Sequence, residues 1–307
     1  MLSILIPTYN HPVLDLVNML YKQCDEVGIS FEILVLDDGS SDKNISTINK
    51  KIEEFPFCKH FENFENRGRS ISRDLLAKKA NYDWLLFLDA DVQLKEKDFI
   101  KEYVLHINAG KANIYSGGIV YEKSKPEKEK ILRWEYGRKR EEKSAELRNK
   151  TPFIIVTGNL LIKKEVFQKI NTIQENVYGE DLVLSQHIKK LKFSVIHIEN
   201  PVIHLGLESS EHFLGKSLQA VENLVIFENS NQIQNDFTKL QRGYLKLKKL
   251  RLTSVFSFII AKMKDKMERN FLSENPNLFW FDLYRLHHYI QLKENKNAKI
   301  FSRYTFI

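Results

Sequence analysis

The stretch LSILIPTYN, residues 2–10, is a near-continuous apolar run stopped by Pro7 and a polar loop. A strand with one wet face alternates apolar and polar residues. This run reads instead as a strand buried on both faces, the habit of parallel sheets. Residues 13–26 follow with apolar positions at helical spacing (Val13, Leu16, Val17, Leu20), and FEILVLDDGSSD at 31–42 repeats the apolar strand, now ending in acidic residues and glycine. Strand, helix and strand make a βαβ unit. A third round comprises a strand near 57–63, the helix SISRDLLAKKA near 70–80, and the strand WLLFLDADV at 84–92. The first 92 residues therefore predict a doubly wound α/β half-domain.

Ligands of such sheets sit beyond the carboxyl ends of the strands. The polar residues cluster there, at 8–10, 37–41, 66–69 and 89–91, so four loops are expected to line one crevice. Residues 122–150 read as a highly charged helical excursion, TPFIIVTGNLLI at 151–162 as a strand, and YGEDLVLSQHIKKL as a further helix. Past FSVIHIENPVIHLG the spacing is helical, which places a boundary near Gly206 to His212 and divides the chain into residues 1–210 and a basic, mainly helical 211–307.

The 307 residues carry 47 Lys plus Arg against 40 Asp plus Glu. The excess is uneven: 236–307 holds 15 basic and 6 acidic residues, which leaves the rest slightly acidic. Two cysteines, Cys24 and Cys58, are too few for a disulfide framework and lack metal-ligand spacing, which favours a reducing compartment. No apolar run reaches the ~18 residues that span a bilayer, and the amino terminus carries no secretion signal, so a cytoplasmic protein is expected.

Three constellations carry chemistry. Asp37-Asp38 ends a buried strand, where two adjacent carboxylates invite a ligand or cation, or where Asp38 caps a turn. Asp89 and Asp91 stand one residue apart past another strand, a spacing that presents oxygens to one hard divalent cation, Mn²⁺ or Mg²⁺, and through it to phosphates. Arg67, Arg69 and Arg73 open a helix, where guanidinium groups suit a diphosphate or a base edge.

The set SILIPTYN, LVLDDGSSD, NRGRSISRDLLAKKA, WLLFLDADV, TGNLLIKKEVF and YGEDLVLS, in this order over about residues 1–205, resembles the family 2 glycosyltransferases of the GT-A fold. The resemblance implies a nucleotide-sugar donor, most often a UDP-sugar, a divalent metal, and inversion at the anomeric carbon. It implies that Pro7, Thr8 and Tyr9 surround base and ribose with Asp38 on the base, that Arg69 and Arg73 approach the nucleotide, that Asp89 lies by the ribose or metal, and that Asp91 is a metal ligand. Glu180-Asp181 matches the family's acidic pair, with Asp181 as general base; alone, the pair reads as the acidic start of a helix. His204 stands where many such enzymes place a histidine metal ligand, with His197 as competitor, and Gly158 and Asn159 line the sugar pocket. The Q-x-x-R-W motif of processive members does not follow the acidic pair, which implies transfer of a single sugar. Trp134 and Tyr136 either stack on an acceptor glycan or pack inside an amphipathic helix.

The segment 240–271 mixes Lys and Arg with Leu, Val, Ile and Phe, as an interfacial helix on the inner face of an anionic membrane would; packing on its own domain or on a second copy is the other reading. Nucleic acid is a poor partner for a chain whose first 235 residues are net acidic. The expected acceptor is a glycan or lipid-linked glycan of surface polysaccharide synthesis. Competing readings are a sugar-phosphate nucleotidyltransferase, which lacks its glycine-rich basic start here, and a non-catalytic sugar-nucleotide-binding scaffold.

Overall fold

The computed structural model describes residues 1–172 and 177–294. They fold as two compact units, one of residues 1–122 and 141–206, the other of 123–140 and 207 onward.

The first unit opens with β1 (Leu2–Thr8), α1 (Leu14–Val27), β2 (Phe31–Asp37), α2 (Lys43–Lys50), β3 (Cys58–Glu62), α3 (Arg69–Lys79) and β4 (Trp84–Leu88). β5 (Val92–Leu94), α4 (Phe99–Ala109), β6 (Ile114–Ser116) and β7 (Ile119–Val120) follow. Beyond α5 (Ile131–Tyr136), which belongs to the second unit, come α6 (Ala145–Asn149), β8 (Asn159–Lys163), α7 (Lys164–Ile170), α8 (Asp181–Leu191), β9 (Val195–His197) and β10 (Val202–His204).

Seven strands form one sheet in the order β3-β2-β1-β4-β8-β6-β9. β1 pairs with β2 and β4 in parallel, and β2 with β3, the doubly wound half anticipated for residues 1–92. Both faces are apolar: Leu2, Ile4 and Ile6 enter one core layer, Leu5, Leu34 and Phe87 the other. Alternate burial on two sides is why β1 reads as one unbroken run rather than as a period of two.

Several local expectations change. β8 runs antiparallel to both β4 and β6, so the sheet is mixed. Burial on both faces produces the same apolar run in either direction, which is why periodicity did not reveal it. The strand expected over 151–162 begins only at Asn159; before it, the Ile155 and Thr157 amides bond to the Ser185 hydroxyl and the Asp181 carboxylate, not to a neighbouring strand. WLLFLDADV is likewise two strands. The chain leaves the main sheet after Leu88, and β5 joins a three-stranded sheet in the order β5-β10-β7.

The second unit holds α5, α9 (Ser210–Asn229), α10 (Lys239–Lys249), α11 (Thr253–Phe271) and α12 (Leu278–Glu294). Its core gathers Leu132, Phe213, Ile260, Met267, Phe271 and Phe281. The basic segment 240–271, read as one helix, is two: α10 ends at Lys249, and α11 begins only after Leu252.

Candidate active site

The site assembles where β1, β2 and β4 end. Asp89 and Asp91 occupy the turn after β4, where the Asp89 amide donates to the Gly158 carbonyl and the Leu205 amide to the Asp91 carbonyl. Those two bonds tie the acidic turn to the entry of β8 and the exit of β10. The packing there excludes side chains: a Cβ on Gly158 would lie 2.7 Å from Asp89 Oδ2, and one on Gly206 would lie 1.8 Å from Asp91 Oδ2. A side chain at either position would push the neighbouring carboxylate out of place.

Arg73 organises the acidic groups. Its side chain on α3 is 3% exposed, and its guanidinium donates from Nη2 to Asp89 Oδ1 at 2.7 Å and from Nη1 to Glu180 Oε1 at 2.8 Å. Arg69, half-exposed one turn earlier, stands 3.6 Å from Asp89 Oδ2. Burial opposes the charge on Asp89, but the Arg73 and Arg69 guanidiniums more than offset it and hold the carboxyl below its usual range. Glu180 and Asp181 start α8, where acidic residues complement the helix dipole.

Asp181 behaves differently. Its two oxygens accept from Thr157, Oγ1 at 2.8 Å and the amide at 3.4 Å. Burial first, and then the neighbouring Glu180 charge, push its carboxyl up to about 6, while Arg73 and Thr157 pull in the other direction. One carboxylate held ionised and another raised toward neutrality mark a division of roles in a site.

Asp91 faces His204 of β10, with Nε2 3.5 Å from Asp91 Oδ2. That separation is too long for a good hydrogen bond and matches two donors each ~2 Å from a shared cation. A carboxylate oxygen and an imidazole nitrogen are a donor set suited to Mn²⁺, and the buried Nδ1 of His204 has no hydrogen-bond partner among the described residues. The Tyr121 ring lies 5.5 Å from the His204 ring, centroid to centroid. His197, the competing histidine, is bound on both ring nitrogens, to Arg148 and to the Pro152 carbonyl. Among the described residues, Asp37, His60 and Glu62 also bring ligand atoms within 4.8 Å of one another, but Glu62 is already paired with Lys50 and Ser46.

Other expected positions are placed as follows. Thr8 is buried and donates to the His11 carbonyl, and Tyr9 is exposed just past β1. Asp38 accepts from the Asn63 side chain and from the Arg67 and Gly68 amides, so its carboxylate fastens the loop that leads into α3. Asn159 is fully buried, and its amide is engaged by Tyr103, the Gly118 carbonyl and the Asn200 carbonyl. Trp134 and Tyr136 belong to the other unit. There Arg138 lies over the Trp134 ring, and Tyr136 packs on Phe213 and Phe281. Thr157, Gly206 and Tyr121 were not singled out from the sequence. Thr157 directly precedes the Gly158-Asn159 pair, but nothing local links it to a carboxylate 24 residues away.

The sequence profile of glycosyl transferase family 2 matches residues 3–170, more than half of the chain. The chain belongs to glycosyltransferase family 2. This glycosyltransferase is 28% identical over 205 residues to an uncharacterized glycosyltransferase of Mycoplasma genitalium, covering 64% of this chain and 66% of that one. It is 29% identical over 117 residues to the dolichyl-phosphate beta-glucosyltransferase of Dictyostelium discoideum, covering 34% of this chain and 35% of the other. Each match thus spans less than two thirds of the relative. Among solved structures, the glycosyltransferase resembles a mannosyltransferase of Pyrobaculum calidifontis in complex with GDP-Man and Mn²⁺ (TM-score 0.56, 14% identity, 96% of this chain and 87% of that one). It also resembles glucosyl-3-phosphoglycerate synthase of Mycobacterium tuberculosis in complex with Mn²⁺, UDP and glucosyl-3-phosphoglycerate (TM-score 0.52, 14% identity, 73% and 78%). The shared architecture is the GT-A fold, followed in this chain by carboxy-terminal helices.

Proposed function

We propose that this glycosyltransferase moves one sugar, with inversion, from a nucleotide-sugar donor, a UDP-sugar, to the hydroxyl of a glycan or lipid-linked glycan in surface polysaccharide synthesis at the cytoplasmic side of a membrane. The observation that carries the reading is the Asp181 carboxylate, held by Thr157 next to Glu180 and the Arg73–Asp89 pair, where burial and the Glu180 charge raise its pKa to about 6. Its fold neighbours bind GDP-Man or UDP together with Mn²⁺, which supports a donor and metal of the same kind.

Inverting transfer needs a base for the acceptor proton and stabilisation of the leaving group. The acceptor oxygen attacks the anomeric carbon as Asp181 takes its proton. The bond from that carbon to the diphosphate breaks, and the diphosphate leaves with the electron pair. Thr157 aims the Asp181 carboxylate, and the Arg73 guanidinium sits between Asp89 and Glu180, bonded to both. Asp91 and His204, with Asp89 beside them, would hold a divalent cation, which when bound supplies Lewis-acid stabilisation of the departing diphosphate. Pro7, Thr8 and Tyr9 would take the base and ribose, half-exposed Arg69 the diphosphate, and Gly158 the floor of the sugar pocket.

The test is a thermal-shift screen of UDP-, GDP- and dTDP-sugars with and without Mn²⁺, because a ligand that binds only the native state raises the melting temperature. A shift by UDP-sugars that requires Mn²⁺ is expected. A flat response to every donor would overturn the proposal, and UDP release with no glycoside formed would favour a binding or scaffold role.

A further inference from the structure

The second unit carries a surface that glycosyl transfer leaves unexplained. Eight basic residues and no acidic one lie between Phe237 and Lys264. Within that span the chain turns from α10 to α11 through Leu250, Arg251 and Leu252, with Arg251 in the left-handed region at φ 56°. Leu250, Leu252, Val255, Phe258 and Ile259 are all exposed, between 43% and 61%.

Their arrangement follows from helix geometry. On α11, Val255, Phe258, Ile259 and Lys262 recur at intervals of three and four and so share one face. Ile260, Met267 and Phe271 occupy the other face and are buried in the unit's own core. α11 is thus apolar on two sides at its amino-terminal end, and internal packing uses only one of them. Cations flank the unused side: Lys246, Lys248 and Lys249 end α10, Arg251 stands in the turn, and Lys262 Nζ lies 4.4 Å over the Phe258 ring. Exposed apolar residues grouped in this way mark an interaction surface, and a neighbouring run of sequence rich in cations and free of acids selects an anionic partner.

We infer that the corner formed by the end of α10 and the first two turns of α11 docks on an anionic lipid bilayer, with Leu250, Leu252, Val255, Phe258 and Ile259 entering the headgroup boundary and the flanking lysines and Arg251 meeting lipid phosphates. Among the described residues no helix is long and apolar enough to cross a membrane, so the contact is one of lying on the surface. Such docking requires nothing of the donor or metal, so its test and the donor screen fail separately.

The full chain is floated with vesicles of phosphatidylcholine alone, or of phosphatidylcholine mixed with phosphatidylglycerol, at low and high salt. Binding is expected only to the anionic vesicles, and it weakens with salt because the cations act within a screening length. The double variant Val255→Glu/Phe258→Glu, at exposed positions that leave folding and vesicle-free UDP release unchanged, loses at least tenfold in partitioning. Lys248→Gln with Lys249→Gln loses about fivefold per charge, roughly 25-fold together. Equal binding to both vesicle types, or full anionic binding by the Val255/Phe258 variant, overturns the inference. So does light scattering that shows a dimer which this variant dissociates, since the face would then belong to a second copy of the chain.

Discussion

Replacing Arg73 by Met tests the organisation of the site most directly. The guanidinium is nearly fully buried and is bonded at once to Asp89 and Glu180, residues brought from two other elements. Methionine keeps most of the volume and removes the charge, leaving two buried carboxylates with Asp181 close by. Breaking a buried ion pair by deleting one partner costs about 3–5 kcal/mol. For a compact unit of ~150–250 residues that corresponds to a fall of roughly 6–20 °C in melting temperature. The pH dependence identifies the cause. In the parent, Asp89 has a folded pKa held below its unfolded one, so its stabilisation is complete above the unfolded value and is lost as pH falls through the folded one. In the variant Glu180 has lost its guanidinium and Asp89 keeps only Arg69 at 3.6 Å, so their negative charges are less well opposed and acid relieves the strain. The difference between parent and variant is therefore full at neutral pH and shrinks below about pH 4. Calorimetry at neutral pH and at about pH 3.5 reads both numbers, and Arg73→Lys, which keeps one charge but spans only one carboxylate, is expected in between. A variant within about 1 kcal/mol of the parent at neutral pH, or a deficit that persists unchanged in acid, would refute the reasoning.

Further outcomes follow from the same geometry. Asp181→Asn abolishes transfer, a loss of at least 10²-fold, while donor-induced thermal shifts persist. In the parent, turnover rises with pH and is half-maximal at about 6, because below that value the Asp181 carboxyl is protonated and takes no proton from the acceptor. Thr157→Val removes a hydrogen bond that favours the ionised form, so the acidic limb of that profile moves to higher pH; an unmoved limb would separate Thr157 from the base. Asp91→Ala abolishes the Mn²⁺-dependent part of the donor's thermal shift, whereas His197→Ala, at a histidine engaged by Arg148 and Pro152, changes stability and leaves the Mn²⁺ response intact. Asp38→Ala leaves the Arg67 and Gly68 amides without their acceptor, at about 1–3 kcal/mol for each, measurable by urea denaturation.

Much of this was legible because its signals are local. An apolar run ending in acidic or polar residues marks a buried strand and the loop at its carboxyl end, and three such runs with helical spacing between them placed β1 to β4 and the crevice beyond them. The direction of β8 was not legible. A doubly buried strand looks alike whichever way it runs, and its antiparallel pairing with β4 and β6 joins segments far apart in sequence. Nor could a residue list show which internal contacts a candidate side chain makes. Asn159 in the TGN motif is committed to Tyr103 and two carbonyls, and Asp38 to the loop before α3.

The order and chemical kind of the motifs, and with them the family, the α/β half-domain and the identity of the acidic residues, were settled along the chain, because strand burial and turn chemistry act over a few neighbours. Which carboxylate is ionised and which is raised toward neutrality was settled only by folding. Arg73 reaches Glu180 across 107 positions, and burial raises Asp181 beside it. The basic surplus divides in the same way. Its sign and place were legible in the sequence, but only the packing of α11, with Ile260 and Met267 turned inward, left Val255, Phe258 and Ile259 facing outward among the lysines.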